Sequence, residues 1–225
     1  GYRNLAELFS ILHYGPGIET GNEFVDKVLA KGGMDHQMWT INLILLAVAY
    51  GGALERSGSI ERLFGGIKNK IKSVGGLIFA TMATSIFCDA AMCDQFLGIG
   101  VPAPLYADKY DELGLSRNMM SRTLEDAGTL WAVMFPWTAC GAYQQGILGM
   151  SPFVYFPFAF VNLLNPIYAL ITACLGKNIF WADGAYTNLL GQTKMKRVAV
   201  APKEAHEYAV EQLEKMRAEG KAPRV

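Results

Sequence analysis

Residues 73–106 read SVGGLIFATMATSIFCDAAMCDQFLGIGVPAPLY, with Asp89 and Asp94 as the only charges. A bilayer core takes about 20 mainly apolar residues per helix. The stretch is therefore too long for one straight crossing and too short for two full helices with a loop. Asp89, Asp94 and Gln95 stand in its middle, which predicts a break between Phe87 and Gln95. A re-entrant helical hairpin satisfies both facts, entering and leaving on one side with a polar tip near the bilayer centre. Non-helical backbone at that depth is tolerated only where protein or a water-filled cavity surrounds it.

The rest of the chain repeats the pattern. Residues 37–54 carry no Asp, Glu, Lys or Arg, and 123–176 carry only Glu125 and Asp126. Hydrophobic residues make up 52% and charged residues 18%, where soluble domains carry about a quarter charged. The charged faces that would mark globular core helices on a 3.6-residue period are missing. The fold class expected is all-α, a polytopic helical membrane protein with a re-entrant hairpin and a broken transmembrane helix.

Charge in the loops orients it. Residues 55–72 hold Arg56, Arg62, Lys68, Lys70 and Lys72, and 107–122 hold Lys109, Arg117 and Arg122. Both loops are cytoplasmic by the positive-inside rule, with Lys196 beside them and Glu23 and Met150 outside. Residues 1–36 read as the end of an upstream membrane segment and an external loop, with a short amphipathic helix on Phe24, Val25, Val28 and Leu29. Residues 37–176 form the transmembrane transport domain. Within it, a discontinuous crossing begins around Asn118 and is interrupted by Glu125-Asp126 and Gly128-Thr129 early and by Pro136 and Gly141 later; the last crossing, 152–176, should kink at Asn165-Pro166. Residues 177–225 form a cytoplasmic tail whose stripe of Ala205, Tyr208, Ala209, Leu213 and Met216, between Pro202 and Gly220, predicts an amphipathic helix. The chain opens on Gly1, and the expectation is a C-terminal portion. Cys88, Cys93, Cys140 and Cys174 form no CxxC pair, so they read as buried thiols rather than zinc ligands or disulfides. No nucleic-acid motif is present. The expected partner is the lipid bilayer.

A charge in the middle of a membrane helix costs roughly 3 kcal/mol on insertion scales and marks an ion or substrate path. Asp89, Asp94, Glu125 and Asp126 are the candidates. The bland alternative places them at interface depth, solvated. Na+ takes oxygen ligands, and Thr129, Thr138 and the carbonyls around Ala127-Gly128 could supply neutral ones where a helix opens. A carboxylate that holds either Na+ or H+ is the simplest exchange device. Against this, Thr138 could serve its own helix alone, and Trp137 and Tyr143 could be interface aromatics.

The blocks LSRNMMSRTLEDAGTLWAVMFPWTACGAYQQGILG (115–149), CDQF (93–96) and GGALERSG (51–58) are similar to the C-terminal signature of the NhaC-type Na+/H+ antiporters. The resemblance implies a secondary transporter of the ion-transporter superfamily in the cytoplasmic membrane. Two inverted repeats would place the site between hairpin tips and broken helices, and this chain would be the second repeat. It implies no enzyme and no cofactor, with Na+ and H+ as cargo, the N-terminal half as partner and a second copy as a candidate partner. Carried over by position, Asp94, Gln95, Ser121, Arg122, Glu125, Asp126, Gly128 and Thr129 match the family blocks. Asp126, Asp94 and Thr129 would hold Na+, Asp126 foremost, and Ser121, Arg122, Gly128 and Thr138 would line the path. Asp89 departs from the pattern, which suggests a neutral polar residue there. On this reading Asp126→Asn abolishes exchange with folding nearly intact, and Asp89→Asn is milder. The family also contains organic-anion exchangers. A Na+- or H+-coupled organic-acid (malate- or lactate-like) or amino-acid exchanger is the alternative, with Arg122 pairing a substrate carboxylate. A non-transporting membrane component is the third class.

Overall fold

The structure is a computed structural model and describes residues 4–17, 20–23, 25–26, 32–68, 70–190, 192–195 and 203–219. The expected helix around Phe24, Val28 and Leu29 lies outside these residues, as do Lys196, Pro202 and Gly220.

Ten helices follow in chain order among the described residues: α1 (Leu5–Tyr14), α2 (Gly33–Arg56), α3 (Ser59–Lys68), α4 (Val74–Met92), α5 (Gln95–Gly100), α6 (Pro102–Glu112), α7 (Arg117–Leu124), α8 (Ala139–Leu148), α9 (Phe160–Cys174) and α10 (Lys203–Ala218). A π-helix (Glu125–Thr129) and one further turn (Leu130–Ala132) continue α7, and two short turns (Pro152–Tyr155, Phe156–Phe158) precede α9. Of these, α4 has the length and apolarity to cross a bilayer by itself, with 19 residues at mean hydropathy 1.5. The pair Pro152–Phe158 and α9 passes only as one bent span. That bend, 57°, falls beside Ala159. Pro166 lies inside α9, so this bend stands ahead of Asn165-Pro166, the site where the sequence leads one to expect a kink.

The chain turns back after α4. Ser73 caps α4 by accepting from Gly76 N, and the face carrying Thr81, Thr84, Ser85, Cys88, Asp89 and Met92 is buried. These positions recur every three to four residues, so they line one side of the helix. The returning limb packs there: Ser85 Oγ donates to Gly98 O at 2.6 Å, Thr84 shares a 2.8 Å hydrogen bond with Tyr106, and Tyr110 donates to Thr81 at 3.3 Å. Val74, Leu77, Ile78, Tyr106, Tyr110 and Met119 form the core around this hairpin. Cys88 is buried, whereas Cys93 and Cys140 are half-buried and Cys174 is exposed, all as free thiols.

The tail departs from an all-helical reading. Strands β1 (Ile179–Phe180), β2 (Ala185–Thr187) and β3 (Thr193–Met195) form an antiparallel sheet in that order. The segment leading into α7 docks against it, with Ser116 N donating to Phe180 O and Ala182 N to Gly114 O, both at 2.9 Å. Then α10 buries Ala209 and Leu213 against α6. Elsewhere, large apolar side chains face outward: Leu46 is 71%, Phe158 73% and Val161 69% exposed. That is a surface suited to lipid or to further protein.

Candidate functional site

Two interruptions of helix bring the polar residues together. The first lies between α4 and α5. Cys93 takes the left-handed conformation at φ 60° and donates its N–H to Asp89 O, ending α4. Asp94 is extended, at φ −142°, and its Oδ1 accepts from Phe96 N at 2.8 Å, starting α5. Back-to-back caps of this kind satisfy the orphan backbone groups of both helix ends. The break falls within the interval predicted from sequence. Asp89, however, sits in the last turn of α4 and not at the tip.

The second interruption spans 133–138. Pro136, lacking an N–H, cannot continue a helix, and Thr138 starts α8 by accepting from Gly141 N at 3.0 Å. The carbonyls freed here are taken up by side chains. Thr138 donates to Ala132 O, Tyr155 to Val133 O at 2.6 Å and Asn162 to Leu130 O. Upstream, Glu125–Thr129 winds as a π-helix, and Ala127 O accepts from Leu130 N. The expected opening at Ala127-Gly128 therefore occurs several residues later.

The two breaks cross. Ala139 N donates to Cys93 O at 3.2 Å, and Trp137 Nε1 to Ala90 O at 2.8 Å. A side-chain relay runs through the crossing: Cys140 Sγ donates to Gln95 Oε1 (3.2 Å), Gln95 Nε2 to Thr129 Oγ1 (3.3 Å), and Thr129 to Glu125 Oε2 (2.5 Å). Gly128 lies where the π-helix presses on the hairpin. An added Cβ there would collide with Ser85 Oγ and stand 3.6 Å from Gly98 O, so a larger residue would force the Ser85 hydroxyl to move.

Residues 4–177 match the Na+/H+ antiporter family. The chain belongs to that family. It is 36% identical over 78% of its length to a Na+/H+ antiporter NhaC from Alkalihalophilus pseudofirmus and 33% identical over 78% to one from Bacillus subtilis. It is 32% identical over 80% of its length to the arginine/ornithine antiporter ArcD of Halobacterium salinarum. The chain spans 38%, 39% and 37% of these relatives, respectively. No solved structure matches it.

Within this antiporter-family chain the sequence-predicted residues separate into three settings. Gln95, Thr129 and Glu125 are linked at the crossed breaks, with Asp94 next to Gln95 as the cap of α5; among the described residues Thr138 bonds only within its own segment, to Ala132 O, Phe135 O and Gly141 N. Asp126 joins a different group: its Oδ1 accepts from Asn165 at 2.8 Å and its Oδ2 lies 3.3 Å from Arg122 Nε. Arg122 also donates to Asn178 O at 3.2 Å. Within the π-helix Glu125 and Thr129 are hydrogen-bonded four residues apart, while Asp126 reaches Asn165 on α9. The proposed Na+ set of Asp126, Asp94 and Thr129 thus shares no hydrogen bond among its members. Ser121 is exposed on α7 and joins none of these contacts. Asp89 is the third setting. It is 0% exposed, and neither carboxyl oxygen has a hydrogen-bond partner among the described residues. No cluster of three or more His, Cys, Asp or Glu residues suited to a metal occurs among the described residues.

Sequence reasoning missed Asn162, Asn165, Ser85, Gly98 and Cys140. Two asparagines three residues apart in an apolar helix were a usable signal, since each amide must find a partner there. Trp137, for which an interface aromatic was the alternative reading, ties the second break to α4 through its indole N–H.

Proposed function

We propose that the chain is the C-terminal half of a multi-pass secondary transporter that exchanges Na+ for H+ across the cytoplasmic membrane. Its partner in the site is the N-terminal half of the same protein. In this reading the hairpin built from α4, α5 and α6 is re-entrant from the cytoplasm, and the chain is one of two inverted repeats. The cationic loops at both ends of the hairpin support that side. The observation that carries the proposal is the crossing of two helix breaks around Gln95, Thr129 and Glu125. Broken helices offer a cation oxygen ligands that continuous helices keep to themselves. Asp94, Glu125, Thr129 and Gln95 would hold Na+ there, with Na+ and H+ as cargo and no cofactor.

The test is Na+-driven proton movement in vesicles carrying the full-length protein. Thr129→Val, which keeps shape and removes the hydroxyl, should cut exchange by roughly tenfold or more, as expected for one lost ligand or positioning contact. Undiminished exchange in that variant overturns the site. The alternative, an organic-acid or amino-acid exchanger, draws support from the 32%-identical arginine/ornithine antiporter. Arg122, its natural anchor for a carboxylate, is already engaged with Asp126 and Asn178. Radiolabelled malate or arginine driving counterflow in the same vesicles would decide for it. Topology is checked separately by cysteine labelling: positions 62 and 117 should react from the cytoplasmic side and position 150 from outside.

A further inference from the structure

The Asp89 carboxyl is enclosed by the chain's own atoms. It projects from the buried face of α4 against α5, where an added Cβ on Gly98 would collide with Oδ1 and stand 2.7 Å from Cγ. Both oxygens are sealed and unpartnered among the described residues, and Asp89 is 0% exposed. Further protein packed on the outside can cover this site but cannot reach into it. The ionisable groups that act on it are Asp94 at the head of α5, Cys88 on its own helix and Cys140 on α8. No basic side chain is among them. The return limb contributes Gly98, which carries no charge.

A bare carboxylate in such a site costs several kcal/mol, and the group neutralises instead. Asp94, five residues on, differs in having a partner: its Oδ1 accepts the Phe96 N–H at the start of α5.

We propose that Asp89 is the seat of the exchanged proton, separate from the crossing that holds the cation, and that Gly98 is the wall that moves to load it. Loading forms one O–H bond on the Asp89 carboxylate from a solvent proton, and release breaks the same bond; no other bond changes. The inference rests on the exchange reading above and adds the proton's address. It also reverses the sequence expectation that a neutral residue would suffice at 89.

Infrared spectroscopy of the purified full-length protein tests it without transport. A carboxylic-acid C=O band should be present at neutral pH, vanish in Asp89→Asn and persist in Asp94→Asn. Wild-type protein lacking the band, or a band surviving in Asp89→Asn, overturns the proposal. In vesicles, Asp89→Asn should lower proton flux relative to radioactive Na+ flux by about tenfold or more, and an unchanged ratio overturns it. Gly98→Ala should shift the pH midpoint of the infrared band, and an unmoved midpoint removes the wall from the scheme. A wild type that shows the band but moves no Na+ refutes the exchange reading while leaving the buried acid at 89 supported.

Discussion

Asp89 and Asp126 are the same side chain in opposite circumstances. Asp126 lies on the π-helix within reach of a guanidinium and an amide, on side chains of Arg122 and Asn165. Asp89 lies between two helices that offer it a glycine and no donor. One carboxylate has its charge compensated and acts as a fastener between α7 and α9. The other is uncompensated, so its protonation state is what the surroundings dictate. Position in a family-like block distinguishes familiar from unfamiliar residues, whereas the fold separates these two into satisfied and unsatisfied.

The largest expected effect comes from closing the space beside Asp89. Gly98→Ala should cost roughly 1–3 kcal/mol by overpacking, seen as a lower melting temperature in detergent. Pairing it with Asp89→Ala should return much of the loss, because the colliding carboxyl is gone. A double-mutant cycle without that coupling breaks the assignment of Gly98 to Asp89.

Asp126→Asn comes next. It strands Arg122 in a half-buried setting, so a cost of about 1–3 kcal/mol is expected for the lost charged hydrogen bonds. This revises the expectation that folding survives nearly intact. Arg122→Gln should destabilise by a similar amount, and the double variant should fall well short of the sum of the two. Full additivity would show that the pair is not a fastener.

Asn165→Leu removes one neutral donor and should cost about 1 kcal/mol, with the melting temperature as the readout. The smallest effect belongs to Asp89→Asn, whose stability should be unchanged or raised, since it removes a carboxyl that has no partner to lose. A large drop in melting temperature for Asp89→Asn would show that the carboxyl is charged and held, and the contrast with Asp126 would disappear.

Much of the helical frame was legible because it depends on neighbours along the chain. The charge-free stretch 37–54 lies in α2, 24 residues long, and the polar middle of 73–106 marks the break at Cys93 and Asp94. Pro136 lies in the second interruption for a reason any sequence shows: it has no N–H to give. The tail sheet was illegible because its strands are two or three residues long, too short for alternation to register. The bend at Ala159 was likewise hidden, because where tertiary contacts turn a chain is not marked by periodicity along it.

The sequence by itself determined where helices run, where they stop and which family blocks the chain carries, since backbone hydrogen bonding and side-chain periodicity are local. The i,i+4 spacing of Arg122 and Asp126 is local, but only the tertiary structure decided which carboxylate also gains a partner from another helix and which has none. Asp126 meets Asn165 across 39 residues, and its partner Arg122 meets Asn178 across 56. Asp89 lost its partners because α4 turned that face onto a glycine of the returning limb. A side chain's electrostatic fate is set by what lies across a helix crossing, and no spacing along one helix contains that.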